Sequence, residues 1–184
     1  MFRGERVNLR PMRRDDIELA VKYQADEDVT NNYFMGMNLF PTSDMWEKWY
    51  EGISMDSDGF SFAIENKEGM YIGSCHTMWL NWKNRTTYFA VYIGNPDYRS
   101  QGYGTEALKL FLSFLFNELG LRKVKLNVFL FNQRAVRCYE KCGFRVDGIN
   151  RKELYRNGEY HDNLAMSITR EEFEGGNIQC TAEA

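Results

Sequence analysis

The chain has 184 residues, 43% of them hydrophobic, a mean hydropathy of -0.54 and a formal net charge of -3 at pH 7. That length fits one domain able to bury its own core, and the charge argues against a general nucleic-acid binder. No apolar run approaches the ~20 residues of a membrane span, the first residues lack the apolar core of a signal peptide, and the four cysteines show no paired zinc spacing. The expectation is a cytoplasmic protein without disulfides or a metal, with no membrane or nucleic-acid partner.

In chain order, residues 5–11 read as an edge strand, and Asp15 or Asp16 is placed to cap a helix reaching about Gln24. Residues 26–41, dense in Asn and aromatics, read as a loop or broken helix. Asp44 followed by Glu47 predicts the start of a short helix through residues 45–50. Residues 60–65 and 70–80 form an expected hairpin about Asn66-Lys67-Glu68-Gly69. Residues 86–93, aromatic and β-branched, form a third strand that stops at Gly94-Asn95-Pro96.

Beyond that turn, Leu108, Phe111, Leu112, Leu115, Phe116 and Leu119 recur at helical spacing, with Gly120 where a C-terminal cap belongs. A strand at 124–129 follows, then a short helix capped by Asn132 and closed by Gly143. Residues 144–155 and 160–168 predict a last hairpin turning at Asn157-Gly158. Because Gly175-Gly176-Asn177 breaks the pattern, residues 1–173 are expected to form one domain and 174–184 a flexible tail. Strands, then one strand-helix-strand-helix crossover, then a hairpin give an α+β fold with a mixed sheet covered by helices.

Charge is unevenly spread. Residues 1–70 carry 14 acidic against 8 basic side chains, a net -6, while residues 71–184 carry 12 against 15, a net +3. A protein taking a cationic amine on its first half and an anionic nucleotide on its second would gain from such a field, though solvated faces produce the same asymmetry.

The segment Arg99-Ser100-Gln101-Gly102-Tyr103-Gly104-Thr105-Glu106-Ala107 opens the long helix directly after a strand. A helix start leaves amide N–H groups without partners and carries partial positive charge, and glycine lets a phosphate come close; Arg99 adds a charged donor. An NTPase phosphate loop is excluded, because Thr105-Glu106 stands where Lys and Ser or Thr are needed. The dinucleotide fingerprint is matched literally by Gly102, Gly104 and Ala107, but residues 122–129 offer no carboxylate for a ribose. Taken alone, the two glycines serve a plain turn or an anion seat equally.

Four segments together resemble the GCN5-related N-acetyltransferase superfamily, in the branch of ribosomal-protein alanine and spermidine acetyltransferases: residues 4–11 with Asp15-Asp16, the Arg99-x-x-Gly102-x-Gly104 loop, residues 132–144, and the hairpin 155–162. The resemblance spans residues 4 to about 168. It implies a mostly antiparallel sheet splayed at a central parallel pair, and acetyl-coenzyme A as co-substrate. Val91, Tyr92 and Ile93 would bind the pantetheine arm by backbone groups, with Asn132 meeting the same arm. Arg99, Ser100, Gln101, Gly102, Tyr103, Gly104 and Thr105 would hold the pyrophosphate by amides.

The chemistry asks for a proton donor to the leaving thiol, which titrates near ~8.5, and a phenol near ~10 is protonated at neutral pH. The family motif puts Tyr139 in that role; outside it, a core tyrosine is the plainer reading. An acceptor amine near ~10.4 must lose a proton first. Relatives often supply a carboxylate from the strand before the loop, but Tyr88 stands there, so the base is unassigned; His76 and the hairpin residues Glu159, His161 and Asp162 are candidates. Neither Cys138 nor Cys142 has an adjacent His, which favours direct transfer over an acyl-cysteine.

The expected activity is therefore acetyl transfer to a primary amine: a protein N-terminus, a polyamine or an aminoglycoside-like small molecule. Phe34, Phe40, Trp46, Trp49 and Tyr50 are candidates for the acceptor pocket, and Asp26, Glu27 and Asp28 suit a polycation. A non-catalytic acyl-coenzyme A sensor and a nicotinamide oxidoreductase are the competing classes. A homo-oligomer is compatible with the sequence.

Overall fold

The computed structural model describes residues 1–33, 42–55 and 59–176. Strands β1 (Phe2–Arg3), β2 (Val7–Pro11), β3 (Ser61–Asn66), β4 (Tyr71–Asn81), β5 (Thr86–Ile93), β6 (Lys123–Phe129), β7 (Arg145–Arg156) and β8 (Glu159–Thr169) form one sheet in the order β1-β2-β3-β4-β5-β6-β8-β7. Every neighbouring pair is antiparallel except β5 and β6.

The parallel pair is in register only at Thr86↔Lys123, Thr87↔Val124 and Tyr88↔Lys125. Beyond it, β5 stays on β4 as far as Gly73↔Ile93, and β6 stays on β8 as far as Phe129↔Asn163. Each strand is thus held on its outer side while the inner sides part. The sheet opens there into a wedge.

Helices cover both faces. On one lie α1 (Ile17–Gln24), α2 (Glu27–Tyr33) and α3 (Ser43–Met55), whose Ile17, Ala20, Tyr23, Val29 and Trp46 bury against Ala63, Tyr71 and Tyr92. On the other, α4 (Tyr103–Ser113), α5 (Gln133–Lys141) and α6 (Arg170–Gly175) pack on the alternate residues of the same strands. Leu108, Leu110, Phe111 and Leu112 of α4 are fully buried there. The strands read from alternation, both hairpins and the Asn157-Gly158 turn, with positive φ at both residues, lie where the sequence puts them, except that the strand expected at the edge, β2, lies between β1 and β3.

Helix ends differ from expectation in physically simple ways. Asp16 does not cap α1 with its side chain; it accepts from the Arg13 amide at 2.7 Å and grips Arg10 through both oxygens. Thr42 rather than Asp44 caps α3, its Oγ1 accepting from the Met45 amide at 3.3 Å. The long helix passes into a π turn over Phe114–Glu118, where the Leu119 amide reaches the Phe114 carbonyl. Arg170 then donates to the free carbonyls of Phe116 and Leu121. Glu174 and Gly175 end α6, and the rest of the expected tail, from residue 177, lies outside the described residues.

Arg10 is 3% exposed and joins three segments: two bonds to Asp16, at 2.7 and 2.8 Å, and one to Glu65 on β3. Removing a buried cation strands its carboxylates in a poorly solvated place. Arg10→Met should therefore lower stability by about 3–5 kcal/mol in urea unfolding at pH 7, and a loss below about 1 kcal/mol would show that the trio does not fix β2 against the first helix.

Candidate active site

The wedge between β5 and β6 opens a cavity of about 920 Å³ that runs through the sheet. On the α1–α3 side its wall is made by Ser74, His76 and Met78 of β4, facing their register partners Tyr92, Ala90 and Tyr88 on β5. Trp46 and Trp49 of α3 close that side. On the other side stand the loop before α4 and one face of α5, including Tyr139.

Of the residues expected to bind or react, Val91, Tyr92, Ile93, Arg99, Ser100, Gly102, Gly104, Thr105, Asn132 and Tyr139 line this one cavity. Gln101 and Tyr103 do not line it: the Gln101 side chain donates to the Asp97 carbonyl, and the Tyr103 ring packs edge-on against Tyr98 at 4.9 Å.

The loop is built to leave amides free. Ser100 has φ 60 and Gly102 φ 93, and α4 begins at Tyr103, its first bond running from the Glu106 amide to the Gly102 carbonyl at 3.0 Å. Among the described residues, no acceptor meets the amides of residues 102–105. Gly102 needs its left-handed φ, and a Cβ there would also come within 3.3 Å of Arg6 Nη1. At Gly104 a Cβ would touch only Ile93, at 3.4 Å. Arg6 braces the loop from outside, donating to the Gln101 carbonyl at 2.7 Å.

The Arg99 guanidinium is engaged elsewhere than expected. It donates to the carbonyls of Ile93 and Gly94 and pairs with Asp26 at 2.9 Å and Asp28 at 3.2 Å. Its side chain therefore ties the end of β5 to α2 and is not a free donor in the cavity. Asp28 also takes Arg134, at 2.6 Å. The acidic run considered for a polycation is thus neutralised at Asp26 and Asp28 by arginines. Positive charge enters the cavity wall from Arg137 and Lys141 instead, which share the solvent-facing side of α5 with Arg134. The sequence reading passed over these two, although their spacing from Arg134 by three and seven residues was the signal.

Tyr139 packs its ring on Phe89 and Phe144, and burial pushes its phenol above the usual range. Asn132 caps α5 by accepting from the Ala135 amide at 3.1 Å. Burial also raises Tyr92, to about 12, and its hydroxyl meets that of Tyr71 at 2.7 Å. The Cys138 thiol is lowered to about 7, first by the Cys142 thiol and then by Thr105, against burial. Among the described residues no three His, Cys, Asp or Glu side chains group as metal ligands, and no helix is long and apolar enough to cross a membrane.

At the place where a base was sought, Tyr88 carries Lys125 Nζ over its ring at 4.4 Å. Glu159, His161 and Asp162 do not line this cavity; Asp162 accepts from the Lys152 amide, and His161 lies against Phe131. Of the aromatic candidates, Trp46 and Trp49 line the cavity and Tyr50 does not, while Phe34 and Phe40 lie outside the described residues.

A sequence model of the acetyltransferase (GNAT) domain matches residues 6–145. The SPbeta prophage-derived uncharacterized N-acetyltransferase YokL of Bacillus subtilis is 31% identical over 172 residues, 93% of this chain and 94% of that one. The spermidine N(1)-acetyltransferase of Escherichia coli K12 is 28% identical over 91% of this chain and 88% of its own. The crystal structure of the Vibrio cholerae spermidine N-acetyltransferase in complex with CoA and spermine superposes with a TM-score of 0.84 at 25% identity, covering 91% of this chain and 98% of that one.

His76 is half-buried, with a buried Nδ1 that has no hydrogen-bond partner among the described residues, and burial lowers the imidazole from 6.5 to about 4. Between those values the unfolded chain takes up a proton that the folded one refuses. Stability is then fully present above pH 6.5 and falls as the pH drops toward 4. In urea unfolding, the wild type should lose up to about 3 kcal/mol more than His76→Gln across that window; parallel losses would mean the ring takes up its proton as readily folded as unfolded.

Proposed function

Because the chain belongs to the GNAT acetyltransferase family, we propose that it moves the acetyl group of acetyl-coenzyme A directly to a primary amine. One observation carries this reading: an unpaired strand edge and a run of free helix-start amides border the same cavity as a partly buried phenol. The first suits an extended, amide-bearing arm, which adds to the edge at Val91, Tyr92 and Ile93 as a further strand does. The second suits a pyrophosphate at residues 102–105. Arg137 and Lys141 supply countercharge beside it. The Vibrio cholerae relative, whose structure carries CoA, supports the same donor.

The acceptor then approaches from the α1–α3 side and reaches the thioester through the wedge. Its nitrogen, entering neutral, forms a bond to the carbonyl carbon and passes a proton to solvent, from which the Tyr139 phenolate is reprotonated at the end of the turnover. The tetrahedral adduct collapses, the carbon–sulfur bond breaks, and the sulfur takes the Tyr139 proton. A phenol raised by burial is fully protonated at neutral pH, as this role requires. His76, held neutral by burial, is a weak base. Desolvation in the cavity lowers the amine's own affinity for its proton, so part of the deprotonation is done by the surroundings. Cys138 sits beside Thr105 at the start of α4, next to the loop assigned to phosphate, which leaves direct transfer as the route.

Release of thiol from acetyl-coenzyme A across a panel of amines tests the reading; tight coenzyme binding with no release for any amine would make the protein a sensor. Tyr139→Phe should lower kcat by about a hundredfold while leaving coenzyme affinity unchanged in titration calorimetry, and an unaltered kcat would remove the acid role. A Cβ at Gly104 would touch only Ile93, at 3.4 Å, so Gly104→Ala should keep the fold by thermal melting yet weaken coenzyme binding about tenfold, ~1.4 kcal/mol. Unweakened binding in that variant would put the phosphates elsewhere.

A further inference from the structure

We propose that the acceptor is a monoamine carrying an aromatic body, held between Trp49 and Trp79, and that this site disfavours polyamines. The inference rests on the transferase reading for its location only. It departs from the polyamine substrates named for the relatives.

The charge of the acceptor side is the first ground. Asp28 is the one acidic residue among the described residues lining the cavity, and two arginines already hold it. Glu47 and Glu51 of α3 face Arg14 instead. A polyamine brings two or more ammonium groups, each needing a carboxylate or water once enclosed.

Aromatic walls can themselves attract cations, so the second ground is which ring faces are free. Lys125 lies over Tyr88 at 4.4 Å, and the Trp79 ring meets Tyr88 edge-on at 5.4 Å. A second cation at that ring would meet the ammonium already there. An uncharged aromatic body meets no such penalty.

The third ground is the backbone. Met78 and Trp79 are consecutive, and in a regular strand they would point to opposite faces. Both line the cavity, because the β4–β5 register shifts between Met78 and Asn81 and Trp79 takes φ 50. A left-handed tryptophan is strained, and this one is 73% exposed. Both make sense if the indole closes on an apolar ligand. Across the cavity, the Trp49 ring lies 6.2 Å from the His76 ring.

The test uses 2-phenylethylamine, a dipeptide beginning with phenylalanine, and spermidine, each scored by thiol release and by quenching of tryptophan fluorescence in the coenzyme-loaded protein. Both aromatic amines should exceed spermidine at least about tenfold in kcat/KM, and the better of the two tells small molecule from peptide. Trp79→Ala should raise KM for the aromatic amine about tenfold with kcat and coenzyme affinity unchanged, and Trp79→Phe should restore most of it. Equal or better use of spermidine, or a KM indifferent to Trp79→Ala, overturns the proposal while leaving the transferase intact. Fluorescence titration showing the same aromatic preference without turnover supports the pocket and sinks the transferase reading instead.

Discussion

Everything in this protein follows from two parallel strands that pair for three residues and then part. Backbone groups removed from water are normally paired, so a strand edge left open inside a protein is a place where something else is expected to bind. Here the opening is enforced from outside. β5 is bound to β4, and β6 to β8, along their full lengths past the point of divergence. The Arg122 amide, at 2.7 Å from the Arg85 carbonyl, pins the closed end. The sheet therefore contains a permanent slot rather than a flexible gap, and the two helical layers end up on opposite sides of one passage.

Local rules carried the sequence reading a long way for the donor side. Gly102 and Gly104, the strand before them, the apolar stripe after them and Asn132 as a cap are all short-range features, and a short-range feature survives any tertiary arrangement. The acceptor side depends on register and on partners far along the chain. Nothing in the string Met78-Trp79-Leu80-Asn81 announces a bulge, because alternation predicts Trp79 on the opposite face. Arg99 looked like a phosphate donor since its type and position suit one. Its actual partners, Asp26 and Asp28, lie more than seventy residues earlier. The caps of α1 and α3 shifted by competition: Asp16 had a buried arginine to satisfy, and Thr42 lay closer to the free amide.

The opposed charges of the two halves find a use of a different kind from the one the sequence invites. Asp26 and Asp28, from the acidic half, meet Arg99 and Arg134, from the basic half, so part of the asymmetry is consumed inside the fold. What remains on the cavity wall is cationic, from Arg137 and Lys141. That residue of positive charge lies on the α5 side and suits the polyanionic donor proposed for it.

The same pairs settle how the two halves of the passage hold together. α2 is seven residues long, too short to persist by its own hydrogen bonds. Its acidic start is held by Arg99 and Arg134, and Asn132 donates to the Asn32 carbonyl. Its last carbonyls, at Thr30 and Asn31, receive Arg156 from β7. Every one of those groups comes from the loop, the helix or the strand on the far side of the slot. The wall that meets the acceptor is thus positioned by the elements assigned to the donor, and neither can shift without breaking bonds of the other. An enzyme that joins two substrates across a narrow opening needs their relative placement fixed to within a fraction of an ångström, and cross-slot ion pairs are the means this fold has for fixing it.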